Sequence, residues 1–400
     1  MTNPWRADFP QIKAGRTYLD SAAMSLKPNQ VIDAVDHYYR DLSVNVHRSL
    51  YAESIEATEL YENARESIAR FINARVEEVI FTRGATASLN FVAMAFGMRN
   101  LKQGDEIITS ELEHHSSILP WREVAKVTGA VVRYVPLSGS GRITVEGFKS
   151  VLNDKTRVVA LTHASNVMGY LTPIEAIINL AHGKGAITVI DCAQSVSSEL
   201  IDVKKLDVDF IAFSGHKMLA PTGIGILYGK KKFLDQLDPI EFGGDMNDFV
   251  TIDGAVWKDT PYRFEAGTMP IAGAIGLKAA LDYLDMAGLE NIDRHLKELY
   301  RYAWDQLQAL PGVILYNPGA DKGIITFNLE GVPSHDAVSY YAEAGVMIRS
   351  GHHCAQLVSA YLGIESSLRA SFHIYTDYED IDRFVEVTKK ATDFFHNLGF

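Results

Sequence analysis

Cys354 is one of only two cysteines in 400 residues, and it stands in the stretch RSGHHCAQ (349–356), directly behind two histidines and five residues after Arg349. A cysteine in that setting can be a small buried hydrophobe, a metal ligand or a reactive thiol. Three adjacent residues cannot easily point at one ion, and no second Cys or His pair stands at zinc-like spacing, so a metal site is disfavoured. The Gly-His-His-Cys turn is polar, which favours the reactive thiol over an inert core residue. Cations nearby favour a thiolate. Arg349 supplies a permanent charge, and His352 or His353 supplies one when protonated.

A second group of residues follows short apolar runs. Asp191 and Gln194 come after AITVI, and Ser214, His216 and Lys217 crowd the turn after VDFIAF. Lys217 lies 26 positions after Asp191, one strand–turn–strand excursion, so both can reach one ligand. Singly, each has an ordinary explanation. Asp191 can cap the following turn, and a loop lysine is usually solvated. Thr86, in the R-G-A-T loop (83–86) after EEVIFT, reads alone as a helix cap, and His114 in E-L-E-H-H reads alone as part of a polar loop. Together they form a more specific set. Free N–H groups and hydroxyls at the start of a helix hold a phosphate. A flat imidazole faces a planar ring, and a buried carboxylate pairs with a protonated ring nitrogen. A lysine in apolar surroundings keeps an accessible neutral amine. Pyridoxal 5′-phosphate asks for this combination.

These residues must be positioned by the elements that precede them. Seven short β-rich runs (EEVIFT, DEIITS, AVVRYVPL, RVVALTHAS, AITVIDCAQ, VDFIAFSG, GIGILYG) mostly alternate with helical segments, the pattern of buried parallel strands in a doubly wound α/β domain. Ligands of such sheets gather beyond the carboxyl ends of the strands, where the residues above fall. VIDAVDHYYRDL and ESIEATELYENARESIARFIN read as amphipathic helices. The expected division is a large doubly wound, mostly parallel domain over 21–270 and a smaller α+β unit built from 1–20 with 271–400.

Composition sets further bounds. Hydrophobic content of 47% and charged content of 22% suit a globular protein with a large core. A net charge of −12 argues against nucleic acid as a main partner, because phosphate backbones need a basic face. No apolar run approaches the ~20 residues of a membrane helix, and the amino terminus MTNPWRADFPQIKAGR does not read as a signal peptide. Two cysteines fit a reducing compartment, so a cytoplasmic location is expected.

The chain resembles the Suf-type and Csd-type cysteine desulfurases among the class V aminotransferase-like, fold type I pyridoxal phosphate enzymes. The resemblance rests on YLDSAA (18–23), NVHRS (45–49), the R-G-x-T loop, EHHSSILPW (113–121), SNVMG (165–169), D-x-A-Q (191–194), FSGHKMLAPTGIGILYG (213–229), FEAGT (264–268), RSGHHCAQ and LRASF (368–372). It implies that Lys217 carries the cofactor as a Schiff base and that His114 stacks on its ring, with Asp191 on the ring nitrogen and Gln194 on the phenolic oxygen. It assigns the phosphate to Ala85, Thr86, Ser214 and His216, with Thr268 reaching in from a second subunit of a homodimer. Asn166 and Arg369 would hold the carboxylate of L-cysteine, His47 and Arg349 would line the same site, and Cys354 would take the sulfur. The sulfur acceptor is expected to be a SufE-like or CsdE-like protein, with a small reductant as the alternative. Three positions depart from the pattern: Ala87 replaces a frequent glutamate, Cys192 a glycine, and Met269 begins what is usually Pro-Asn. Selenocysteine lyase, kynureninase-like and epimerase activities share the cofactor chemistry, and a non-catalytic scaffold would have no need of the Lys217–Asp191 pair.

Overall fold

The computed structural model describes residues 3–399. A short strand β1 (Thr17–Tyr18) and two helices (Asn29–His37 and Ala52–Phe71) lead into the main sheet. Its strands are β2 (Val79–Thr82), β3 (Glu106–Thr109), β4 (Val131–Tyr134), β5 (Thr156–Thr162), β6 (Ile187–Asp191), β7 (Phe210–Ser214) and β8 (Gly225–Gly229), in the spatial order β2-β8-β7-β6-β5-β3-β4. All seven expected strands are present. The pairs from β4 across to β7 are parallel, whereas β8 runs antiparallel to both β7 and β2. Periodicity carries no strand direction, but connection length does. The link 215–224 is too short for a crossover helix, so the chain returns antiparallel beside β7.

Alternate residues of each strand enter two separate cores. Ile80, Ile107, Val158, Val189, Phe210 and Leu227 face one layer of helices, while Phe81, Ile108, Val159, Ile190, Ile211 and Ile226 face the other. This period of two, with both faces covered, makes the sheet doubly wound. Strand β4 is the exception: it lies at the edge, and its residues alternate between exposed and half-buried.

Beyond the sheet, β9 (Asn247–Val250) and β10 (Ala255–Trp257) form a solvent-exposed hairpin that alternation in the sequence does not announce. The expected helical stretch is two helices, Ile271–Ala287 and Leu289–Gln308, divided at Gly288, whose φ of +77° ends the first. Strands β11 (Val313–Leu315), β12 (Ile324–Leu329), β13 (Val346–Met347), β14 (Arg349–Gly351) and β15 (Ser367–Ser371) follow. An antiparallel sheet runs β11-β12-β15-β14, and β13 pairs in parallel with β1. The two ends of the chain meet: Asn3 donates to the carbonyls of Ile374 (2.8 Å) and Thr376 (2.9 Å), and Arg6 pairs with Asp377 and Asp380 at the start of the last helix. Among the described residues no helix is long and apolar enough to cross a membrane.

Candidate active site

The carboxyl ends of β2, β3, β6 and β7 converge with loops from the smaller sheet. Gly84 precedes the helix Ala85–Val92 in a backbone conformation (φ +151°) that favours glycine. It lies so close to β8 that a Cβ on Gly225 would fall 2.3 Å from the Gly84 Cα. This contact brings the helix start to the end of β7, where the Ala85 N–H donates to Ser214 Oγ (2.8 Å). The Thr86 and Ser116 hydroxyls pair at 2.7 Å beside it. No acidic side chain occupies the first turn. Exposed N–H groups, three hydroxyls and no competing carboxylate make a cradle of the kind that binds phosphate.

Asp191 ends β6. It is buried, and Oδ1 accepts the Ala193 N–H (2.9 Å). Burial raises its pKa, opposed by the Lys217 ammonium, so the carboxylate calls for a cationic partner. Lys217 follows β7. Burial lowers its pKa, which Asp191 opposes and Arg369 reinforces; Cys354 and Arg349 also act on it. His114 caps the helix His115–Thr128 through Nδ1, which accepts the Ser116 N–H (3.1 Å), and burial, followed by Lys217, holds its pKa down to about 4. The ring is therefore neutral at pH 7. Gln194 donates to the Ala22 carbonyl (2.8 Å). His216, beside Lys217, is likewise held to about 4 by burial. These donors fit pyridoxal phosphate: an N–H cradle for its phosphate, a buried carboxylate for its ring nitrogen and a desolvated amine for its aldehyde.

Arg369, on β15, is buried. It donates to the Asn166 carbonyl (2.9 Å) and to Asp20 Oδ1 (3.1 Å), leaving Nε without a partner. Asn166 in turn donates Nδ2 to the His353 carbonyl (2.7 Å). Arg349 stands opposite Arg369 in the β14–β15 register.

Cys354 is exposed, in contrast to Cys192. It and His353 both adopt left-handed backbone conformations (φ +55° and +53°), strained for residues with side chains. The turn is pinned because the Cys354 carbonyl accepts the His115 N–H at 2.7 Å. His353 does not supply the charge expected of it. It is buried, bonded through Nε2 to Ser367, and burial with Arg369 nearby pushes its pKa down to about 3. Of the expected cations beside the thiol, Arg349 has a permanent charge and His352 is exposed.

Two expected residues have neighbours other than Lys217 and Asp191. His47 bonds Glu62 (2.8 Å), its ring packs edge-on against Tyr61 and Tyr262, and its neighbourhood is the buried Arg65–Glu265 pair (2.6 Å). Thr268 and Met269 line a cavity of about 260 Å³ together with Arg83 and Ala87. Sequence reading passed over Asp20 and Glu113. Asp20 lies 349 positions from Arg369, a pairing only the fold makes visible. Glu113 is buried between the Ser110 and Ser117 hydroxyls (2.6 and 3.0 Å), and burial pushes its pKa up to about 8, so it stands largely protonated behind His114.

Cys192 is fully buried in the core, and burial raises its thiol pKa strongly, as does Asp191. A thiol so placed is not a nucleophile. Cys192→Ala is expected to keep activity within about twofold and to cost about 1 kcal/mol, checked by steady-state kinetics and thermal melting.

Residues 17–384 match the family described as Aminotransferase class-V, and the chain belongs to that family. Its cofactor is pyridoxal 5′-phosphate. A protein of Halalkalibacterium halodurans named "Probable cysteine desulfurase" is 48% identical over 382 residues, covering 95% of this chain and 94% of that protein. Among solved structures, the cysteine desulfurase CsdA from Escherichia coli superposes with a TM-score of 0.93 at 38% identity, covering 98% of this chain and 99% of its own. The cysteine desulfurase from Thermococcus onnurineus gives 0.94 at 37% identity, with the same coverage.

Proposed function

We propose that the chain is a pyridoxal-phosphate-dependent cysteine desulfurase that converts L-cysteine to L-alanine and leaves a persulfide on Cys354. The relatives and solved structures that share nearly its whole length at 37–48% identity carry that activity in their names, which supports the reading. The observation that carries the sulfur step is the exposed Cys354 thiol on a strained, pinned turn, within electrostatic reach of Lys217 and Arg369.

The residues divide the work. Ala85, Thr86, Ser214 and His216 hold the cofactor phosphate, Asp191 its ring nitrogen and Gln194 its phenolic oxygen, while the neutral His114 offers a flat face to its ring. When bound, the cofactor supplies an electron sink that acidifies the substrate Cα–H and makes the C–S bond labile. Arg369 grips the substrate carboxylate. Its guanidinium is prefixed by Asp20 and the Asn166 carbonyl, which take two of its five N–H donors and leave Nε without a partner. Lys217, whose buried amine loses its proton more readily than a solvated lysine, takes the Cα proton. The Cys354 thiolate then attacks the substrate sulfur. An S–S bond forms as the C–S bond breaks, the electron pair passes to the carbon fragment, and that fragment is protonated and leaves as alanine. The test is alanine formation by the holoenzyme given L-cysteine, one alanine per sulfur transferred; failure to form alanine contradicts the activity.

The persulfide would pass to a SufE-like or CsdE-like acceptor in the cytoplasm, for iron–sulfur cluster or related biosynthesis. The working unit is a homodimer in which Thr268 and His47 serve the neighbouring site. This is supported by the exposed apolar side chains Leu50, close to His47 in the chain, and Phe242, Phe249, Ile252 and Val256, on and before the exposed hairpin. Sedimentation is expected to show a dimer at working concentration; a fully active monomer contradicts it.

A further inference from the structure

Lys217 sits in a turn that needs outside support. Leu219, two residues on, has a left-handed backbone (φ +70°), which a leucine adopts only where its surroundings over-determine it. Those surroundings come from both ends of the chain. Ser25 is buried. Its hydroxyl donates to the His216 carbonyl (3.0 Å), and its backbone N–H donates to the same oxygen (2.9 Å). The same hydroxyl accepts the Leu219 N–H (2.8 Å). One side chain thus bridges the residue before Lys217 and the residue two after it. Lys27 Nζ adds a further bond to the His216 carbonyl (3.3 Å).

The Ser25 segment is itself held from the carboxyl-terminal part of the chain. The Tyr375 hydroxyl pairs with Ser21 Oγ (2.8 Å) and accepts the Leu26 N–H (3.1 Å). His373 stacks on Tyr375, with ring centroids 5.4 Å apart and planes at 13°, and is only 4% exposed. Its Nδ1 accepts the Ile374 N–H (2.9 Å), which places the ring proton on Nε2. That Nε2 has no hydrogen bond of ordinary geometry, and the Lys217 main chain is the acceptor beside it.

We propose that Ser25 and His373 are positioning residues for Lys217: Ser25 fixes the turn on both sides of the lysine, and His373 presents Nε2–H to the Lys217 carbonyl, so that the amine is aimed at the substrate Cα. This rests on the reading of Lys217 as the lysine that binds the cofactor and moves the Cα proton. Substrate affinity resides mainly in Arg369, so loosening the clamp lowers kcat and leaves KM largely alone. Misplacing a reacting group by a fraction of an ångström costs about tenfold or more.

The experiment compares Ser25→Ala, Ser25→Thr, His373→Phe and His373→Gln with the wild type. Phenylalanine keeps the stack on Tyr375 and removes the N–H; glutamine and threonine restore a donor. Three quantities are measured: kcat and KM for L-cysteine, the melting temperature of the apoprotein, and the rate at which the apoprotein captures added pyridoxal phosphate. Capture is trapped with borohydride and mapped by peptide mass. Ser25→Ala and His373→Phe are expected to lower kcat and the capture rate about tenfold, with KM within about threefold and melting unchanged. Ser25→Thr and His373→Gln should recover most of the loss. Wild-type kcat and capture in both disruptive variants would overturn the proposal. So would kcat and melting temperature falling together with no recovery in the conservative pair, which marks ordinary core residues. Trapping of the wild type at a lysine other than Lys217 sinks the parent reading itself. Trapping at Lys217 with indifferent variants sinks only the clamp.

Discussion

Lys217→Ala is expected to abolish turnover of L-cysteine, by about 10⁴-fold or more, while the protein stays folded. The rate loss follows from two roles falling on one amine. In the proposed function Lys217 anchors the cofactor and takes the Cα proton, and Asp191, Arg369 and Cys354 all act on its amine. Stability should hold, because removing a buried amine also removes its desolvation cost. Asp191 loses the ammonium that opposes its upward shift, so the apo variant should hold that carboxyl protonated to higher pH. The variant should lack the visible absorbance of the lysine-bound cofactor. A variant that keeps both colour and full activity refutes the cofactor assignment.

Cys354→Ala should separate binding from sulfur transfer. The substitution touches neither the phosphate cradle nor Arg369, and the backbone bond from His115 to residue 354 is kept. The variant should therefore load the cofactor and bind L-cysteine normally, yet release alanine at below about one hundredth of the wild-type rate. Alanine also relieves nothing of the left-handed strain at φ +55°, so melting should change little. Selenocysteine should be spared, because its weaker carbon–selenium bond and better leaving group depend less on the thiolate; the ratio of the two activities reads this directly. Equal loss with both substrates would argue for a packing role of Cys354.

Much of this was legible in the sequence because α/β sheets place ligands at strand ends. The strands ending at Thr82, Thr109, Asp191 and Ser214 are marked by apolar runs, and the chemistry-bearing residues follow them directly. The direction of β8 was not legible from alternation, only from the short link 215–224. The hairpin of β9 and β10 is exposed and leaves no buried pattern to detect. Long-range partners were hidden for a different reason. Asp20 with Arg369, Ser25 with His216, and His373 beside Lys217 join segments more than 150 positions apart, and nothing local to Asp20 or Ser25 distinguishes it from a turn residue. The protonation state of His353 depended on burial, which the polar run RSGHHC conceals.

The sulfur itself gives the most direct test. Wild-type holoenzyme is incubated with L-cysteine without an acceptor or reductant, and its intact mass is measured and mapped by peptide. One added sulfur atom on Cys354, with one alanine released, is the expected result. An unmodified Cys354 in an enzyme that releases alanine, or sulfur found on Cys192 instead, contradicts it.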